Sequence, residues 1–123
     1  MNKEKIEEMY QNFILYYADE LVSTKAYKDI EQEIHGEDAV SFDFFGGDVG
    51  VGDSRLLIDM KHYLKSEYDL EDGVANSLSN FETLEKTIVP GINKIVEEEG
   101  YLFEKEEFMD KDLDRPMIHY ILK

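Results

Sequence analysis

The chain has 123 residues, and its 29 acidic against 13 basic side chains give a formal net charge of −16. One domain spanning residues 1–123 is expected, able to bury about two thirds of the surface its unfolded chain exposes. A hydrophobic share of 42% excludes a disordered chain, and zero cysteines exclude a disulfide framework or thiolate chemistry.

No apolar run approaches the roughly 18 residues a membrane span needs, and MNKEKIEEM lacks a signal-peptide core. A cytoplasmic protein is the expectation. The charge is the main anomaly, because a small domain stays soluble with a net charge of about 2 to 8. Like charge in excess also strains the compact state by self-repulsion. Without a Lys/Arg patch to release counterions, direct binding to nucleic acid or to an anionic membrane is disfavoured. A basic protein partner fits the charge better.

In chain order, Ile6, Met9, Tyr10, Phe13, Ile14, Tyr17 and Leu21 recur at steps of three and four, which predicts an amphipathic helix. Asn2 is its expected N-cap, and Glu4, Glu7 and Glu8 suit the positive end of the helix dipole. The pattern resumes at Tyr27, Ile30 and Ile34 and stops at Gly36, with Ser23 and Thr24 leaving its continuity open. His35 falls in the last turn, where a partial positive charge suits the dipole. From Ala39 to Phe45, Val40, Phe42 and Phe44 alternate with polar residues, the period of a strand.

The glycine-rich GGDVGVGD follows. It reads as a hairpin turning at Gly46–Gly47 or just beyond, with Val49 and Val51 on a short returning strand. A phosphate-cradling loop is the disfavoured alternative, because Asp48 and Asp53 would repel the ligand and no lysine stands at the helix start.

Asp53 or Ser54 is expected to cap a second helix with Leu56, Leu57, Met60, Tyr63, Leu64 and Tyr68 on its apolar face. Asp59, Lys61, Lys65 and Glu67 would form its solvated face, with His62 near the edge. DLEDG reads as an acidic turn closing at Gly73. A third helix starts near Asn76 to Asn80, where Ser79 and Glu82 have the spacing of a capping box. Phe81, Leu84, Ile88, Ile92, Ile95 and Val96 form its stripe. Pro90 should kink or split it near Thr87, and it ends at Gly100. Tyr101–Phe108 and Pro116–Leu122 then read as a hairpin linked by MDKDLDR. The expected architecture is α+β: an antiparallel sheet of about three to four strands packed against three or four helices, in the order α-β(β)-α-α-β-β.

Few motifs carry chemistry. Asp110, Asp112 and Asp114 open like an EF-hand loop, but Arg115 and Ile121 stand where glycine and glutamate are required. Three scattered histidines and no cysteine make a metal centre improbable, and no catalytic or nucleotide fingerprint is present. A non-enzymatic protein without cofactor or metal is expected.

The stretch EEEGYLFEKEEFMDKDLD sets nine carboxylates (Glu97, Glu98, Glu99, Glu104, Glu106, Glu107, Asp110, Asp112, Asp114) against two lysines. Alternate residues of a strand share a face roughly 6.6 Å apart, and helical neighbours three or four apart lie about 5 to 6 Å apart. Both spacings are comparable to the separation of successive phosphates, so these carboxylates can imitate a nucleic-acid backbone. Glu67, Asp69, Glu71 and Asp72 form a second patch. Tyr101, Phe103 or Phe108 could anchor a partner.

In size and acidity the chain resembles the phage-encoded anti-CRISPR and antirestriction proteins that mimic DNA. The resemblance is one of class, carried by no motif. It implies an inhibitor seated in the basic nucleic-acid groove of a host defence nuclease. An immunity protein or antitoxin that neutralises a basic toxin follows from nearly the same physics. An adaptor with incidental acidity is the third reading.

Overall fold

The computed structural model describes residues 2–36, 45–48, 55–112 and 114–123. Helix α1 (Lys3–His35) comes first, then strand β1 (Phe45–Asp48), α2 (Arg55–Tyr68) and α3 (Asp72–Leu78). Helix α4 spans residues 81–98 in three consecutive parts: Phe81–Thr83, a π-helical Leu84–Ile88 and Val89–Glu98. Strands β2 (Phe103–Asp110) and β3 (Arg115–Leu122) close the chain. Among the described residues, four helices and a three-stranded antiparallel sheet in the order β1-β3-β2 give an α+β fold. No helix among the described residues is long and apolar enough to cross a membrane.

Helix α1 begins where its sequence signals it. The Asn2 side chain accepts the Lys5 amide at 2.8 Å, and Gly36 ends the helix at φ 79°. Thr24 bonds back to the Glu20 carbonyl, so the hydroxyl pair does not interrupt the helix. Met9, Phe13, Ile14, Ala18 and Leu21 are buried, whereas Tyr27, Ile30 and Ile34 stay exposed at 62%, 55% and 70%. The apolar pattern therefore continues for three turns beyond the core it serves. His35's side chain lies outside the described residues.

Of the strand expected over Ala39–Phe45, residues 39–44 lie outside them, as does the cap at Asp53 or Ser54, while Phe45 opens β1. Gly46 and Gly47 do not form a turn, and the alternative turn just beyond them, with its returning strand at Val49 and Val51, lies outside the described residues. Both glycines sit inside β1, paired with His119 and Ile118 of β3. Glycine marks a turn only when the local chain decides, and here a ladder to a strand some 70 residues away decides instead.

DLEDG is not a turn closing at Gly73. The chain reverses at Asp69, whose φ is 52°, and α3 starts at Asp72 with Glu71 as its N-cap residue. Ser79 does not cap α4. The Asn80 side chain does, accepting the Thr83 amide at 2.8 Å, while the Ser79 hydroxyl is buried without a hydrogen-bond partner.

Pro90 neither kinks α4 into two helices nor leaves it regular. The residues before it take a π turn in which the Val89 amide donates to the Leu84 carbonyl five residues back. Leu84, Ile88, Ile92 and Val96 recur every four residues, and all are fully buried. On a pure α-helix that stripe would drift by about 40° per step. The wider turn takes back part of the drift and holds the stripe on the core. The C-terminus closes in a Schellman motif, with Tyr101 donating to Val96 at 2.9 Å, Gly100 to Glu97 at 3.0 Å, and Gly100 at φ 86°.

The last two strands pair as expected, from Phe103↔Leu122 to Asp110↔Arg115, joined by the four residues 111–114 rather than by seven. The Asn93 side chain accepts the Phe103 amide at 3.1 Å and ties α4 to the start of β2. Pro116 lies one residue beyond the described β1, whose last pair is Asp48↔Met117, so among the described residues only β2 flanks it there. Phe103, Ile118, Tyr120 and Leu122 face the helices and are buried. The Tyr120 ring stacks on Phe103 at 5.4 Å between centroids, but its hydroxyl is buried with no hydrogen-bond partner among the described residues. Burial pushes that phenol's pKa up. An unmatched buried hydroxyl costs about 1–3 kcal/mol. Tyr120→Phe should therefore raise stability by roughly 1 kcal/mol in urea unfolding. A loss of that size would contradict the orphaned hydroxyl.

Candidate functional site

The acidic residues are distributed over several elements. Glu97 and Glu98 occupy the last turn of α4 and Glu99 is its C-cap; all three are exposed. No salt bridge joins them to a cation among the described residues. They also crowd the negative end of the helix dipole, costing about 0.3–1 kcal/mol each at low salt. Folding alone does not favour this placement.

On β2 the period of two separates the glutamates. Glu104 and Glu106 share the face away from the helices, and both approach Lys123, at 2.8 and 3.2 Å. Those contacts raise the Lys123 pKa. Glu107 points to the opposite face and lies 3.6 Å from Lys105, which also bonds Glu85 at 2.7 Å. The three β2 glutamates are thus neither coplanar nor free. Asp112 and Asp114 are exposed in the β2–β3 connection, where Asp114 takes φ 51°. Asp110 pairs with Arg115 in the ladder, and its side chain lies outside the described residues.

The second patch sits on the reversal from α2 to α3. Glu67, Asp69, Glu71 and Asp72 are all exposed there. Asp72 forms an ion pair with Lys65, which lowers its carboxyl pKa. Of the three aromatic candidates, Phe103 is core and Tyr101 is partly buried, leaving Phe108 the most exposed at 38%. Among the described residues no cluster of three or more His, Asp or Glu is placed to hold a metal ion.

A further site escapes a reading of the acidic runs. Helices α1 and α2 run antiparallel, with Tyr17 Oη donating to Asp59 at 2.8 Å and Asn12 to Tyr68 Oη at 2.7 Å. Between them opens a cleft of about 510 Å³ lined by Tyr16, Glu20, Asp59, His62, Tyr63 and Glu67, among others. Tyr16 stacks on Tyr63 with ring centroids 5.3 Å apart. Asp59 is not the solvated residue its helical position suggested, because it is partly buried against Tyr17. Burial, then the Asp59 hydrogen bond, raise the Tyr17 pKa far above the ordinary value, so this phenol stays a neutral donor. Among the described residues no lysine or arginine is part of the cleft lining, although Arg55 acts electrostatically on the Tyr17 hydroxyl. Chemically it offers aromatic faces and carboxylates to a cation. Comparison with protein-family models, curated proteins and solved structures finds no match to this chain.

Proposed function

We propose that the protein is a non-enzymatic inhibitor that occupies the basic nucleic-acid groove of a host defence nuclease, using carboxylates in place of phosphates. The reading is carried by Glu97–Glu99: three exposed glutamates without an ionic partner among the described residues, set at the end of a helix that disfavours them. Charge maintained against folding is charge available for a partner. The Schellman turn and the Asn93–Phe103 bond fix that helix end, so the carboxylates are presented on ordered backbone. Long-range attraction of a net −16 protein would speed encounter with a cationic groove and weaken as salt is raised.

The test is capture of a partner from a bacterial lysate at low salt, followed by affinity measurements over a salt series. Glu97→Gln, Glu98→Gln and Glu99→Gln combined should weaken binding at least tenfold, about 1.4 kcal/mol. The same variant should be as stable as the wild type, or slightly more so, since the helix dipole is relieved. Glu104→Gln with Glu106→Gln should do less, because Lys123 already compensates that pair. A captured nuclease whose affinity ignores both salt and Glu97–Glu99 would refute the proposal.

A further inference from the structure

The apolar stripe that α1 carries past the core is continuous with the α1–α2 cleft. At 3.6 residues per turn, positions 16, 20, 23, 27, 30 and 34 lie within about 40° of one line along the helix. That line holds Tyr16 and Glu20 at the cleft, then Ser23, then the exposed Tyr27, Ile30 and Ile34. It is about 27 Å long at 1.5 Å per residue. Alternate steps of four and three are the spacing by which one helix packs along another. Asp19 and Glu31 border the line at about 60° on either side.

We infer that this surface docks an amphipathic helix of the partner, with an arginine entering the α1–α2 cleft and apolar residues covering Tyr27, Ile30 and Ile34. Arginine is the cation the cleft suits. Its planar guanidinium stacks on a tyrosine face and forks its donors toward carboxylates. Tyr16 is half exposed, and its other face is held by Tyr63. Glu20 and Glu67 are exposed at the cleft wall. Asp59 lines the cleft and is held by the Tyr17 hydroxyl, which donates to its Oδ2. A second copy of this chain is a poor occupant, since it would bring another net charge of −16 to the same place.

The inference rests on the cationic-partner reading above and adds the surface that takes the partner's arginine. The probe is a synthetic 18-residue helix with arginines on one face and leucines on the other. Its controls are a lysine-for-arginine version and a scrambled peptide of identical composition. At 150 mM salt the arginine helix should bind at least tenfold tighter than the scrambled peptide and several-fold tighter than the lysine version. Tyr16→Ala and Ile30→Ser leave the net charge unchanged and alter exposed side chains, so circular dichroism should show both folded. Each should weaken the arginine helix at least fivefold. Equal binding of the scrambled peptide, or wild-type affinity in both variants, overturns the inference. With the captured partner, loss on Glu97–Glu99 substitution but not on Tyr16→Ala or Ile30→Ser sinks this surface and leaves the inhibitor reading standing. Loss in neither set sinks the inhibitor reading as well.

Discussion

Phe13→Ala should lower the unfolding free energy by about 3–5 kcal/mol, measured by urea denaturation of the whole chain. Phe13 is fully buried on α1, and its ring lies 5.1 Å from Tyr17 and 5.4 Å from Tyr63 between centroids. Removing it deletes a large apolar surface and leaves a void between α1 and α2 that neighbouring rings cannot fill without leaving their stacks. Against a total stability of roughly 5–15 kcal/mol for a domain, that loss is a large fraction. The neighbour Leu15 is the control: it is 51% exposed, and Leu15→Ala should change stability by no more than about 0.5 kcal/mol. Similar values for the two variants would mean that the rings do not form the centre of the helix packing. The milder Phe13→Leu would keep the fold but loosen Tyr63, and through it Tyr16, so the cleft should lose its stacked pair before the protein loses its structure.

How much of this was legible in the sequence depends on how far each determinant reaches. Asn2 and Gly36 bound α1 through contacts three or four residues long, and both signals read correctly. The stripe of α2 was equally plain, because burial repeats at the period of the helix, and the apolar and aromatic runs of β2 and β3 read as a hairpin. The errors sit where a distant partner overrides local chemistry. Gly46–Gly47 looks like a turn until β3 pairs with it. DLEDG looks like one long turn until Asp69 alone takes the positive φ and frees Asp72 to start a helix. Asn80 rather than Ser79 caps α4, and a spacing rule cannot choose between adjacent residues that both qualify. The acidic surface was legible as composition but not as geometry. Lys123, just past the end of β3, compensates Glu104 and Glu106, whereas Glu97–Glu99 have no such neighbour among the described residues. The cleft was legible only as a redundancy: Tyr16 extends an aromatic face that the core at Phe13 and Tyr17 did not require.

Gly91 gives the sharpest test of how α4 meets α1. The sequence marks it as a weakness in a helix, since glycine costs about 1 kcal/mol relative to alanine there. The packing supplies the reason for tolerating it. A Cβ at Gly91 would lie 2.6 Å from Ile14 Cδ1, 3.1 Å from Cγ2 and 3.3 Å from Cγ1. Ile14 is only 3% exposed and borders a cavity beside Thr87, but its Cγ1 and Cγ2 as well as its tip stand in the way. Gly91→Val should therefore cost about 2–3 kcal/mol, the usual penalty of overpacking a dense core. Gly91→Ala sets the same clash, with less bulk, against the helix-propensity gain, so it should be destabilising by no more than roughly 1 kcal/mol. The decisive comparison is made in an Ile14→Ala background, where the obstructing atoms are gone. There Gly91→Ala should stabilise by about 1 kcal/mol, because only the propensity gain remains. A double-mutant cycle reads that change directly as a coupling between the two positions. If Gly91→Ala has the same effect in both backgrounds, the glycine is not there for close helix contact, and the packing of α4 on α1 must rest on Leu84, Ile88 and Ile92 alone.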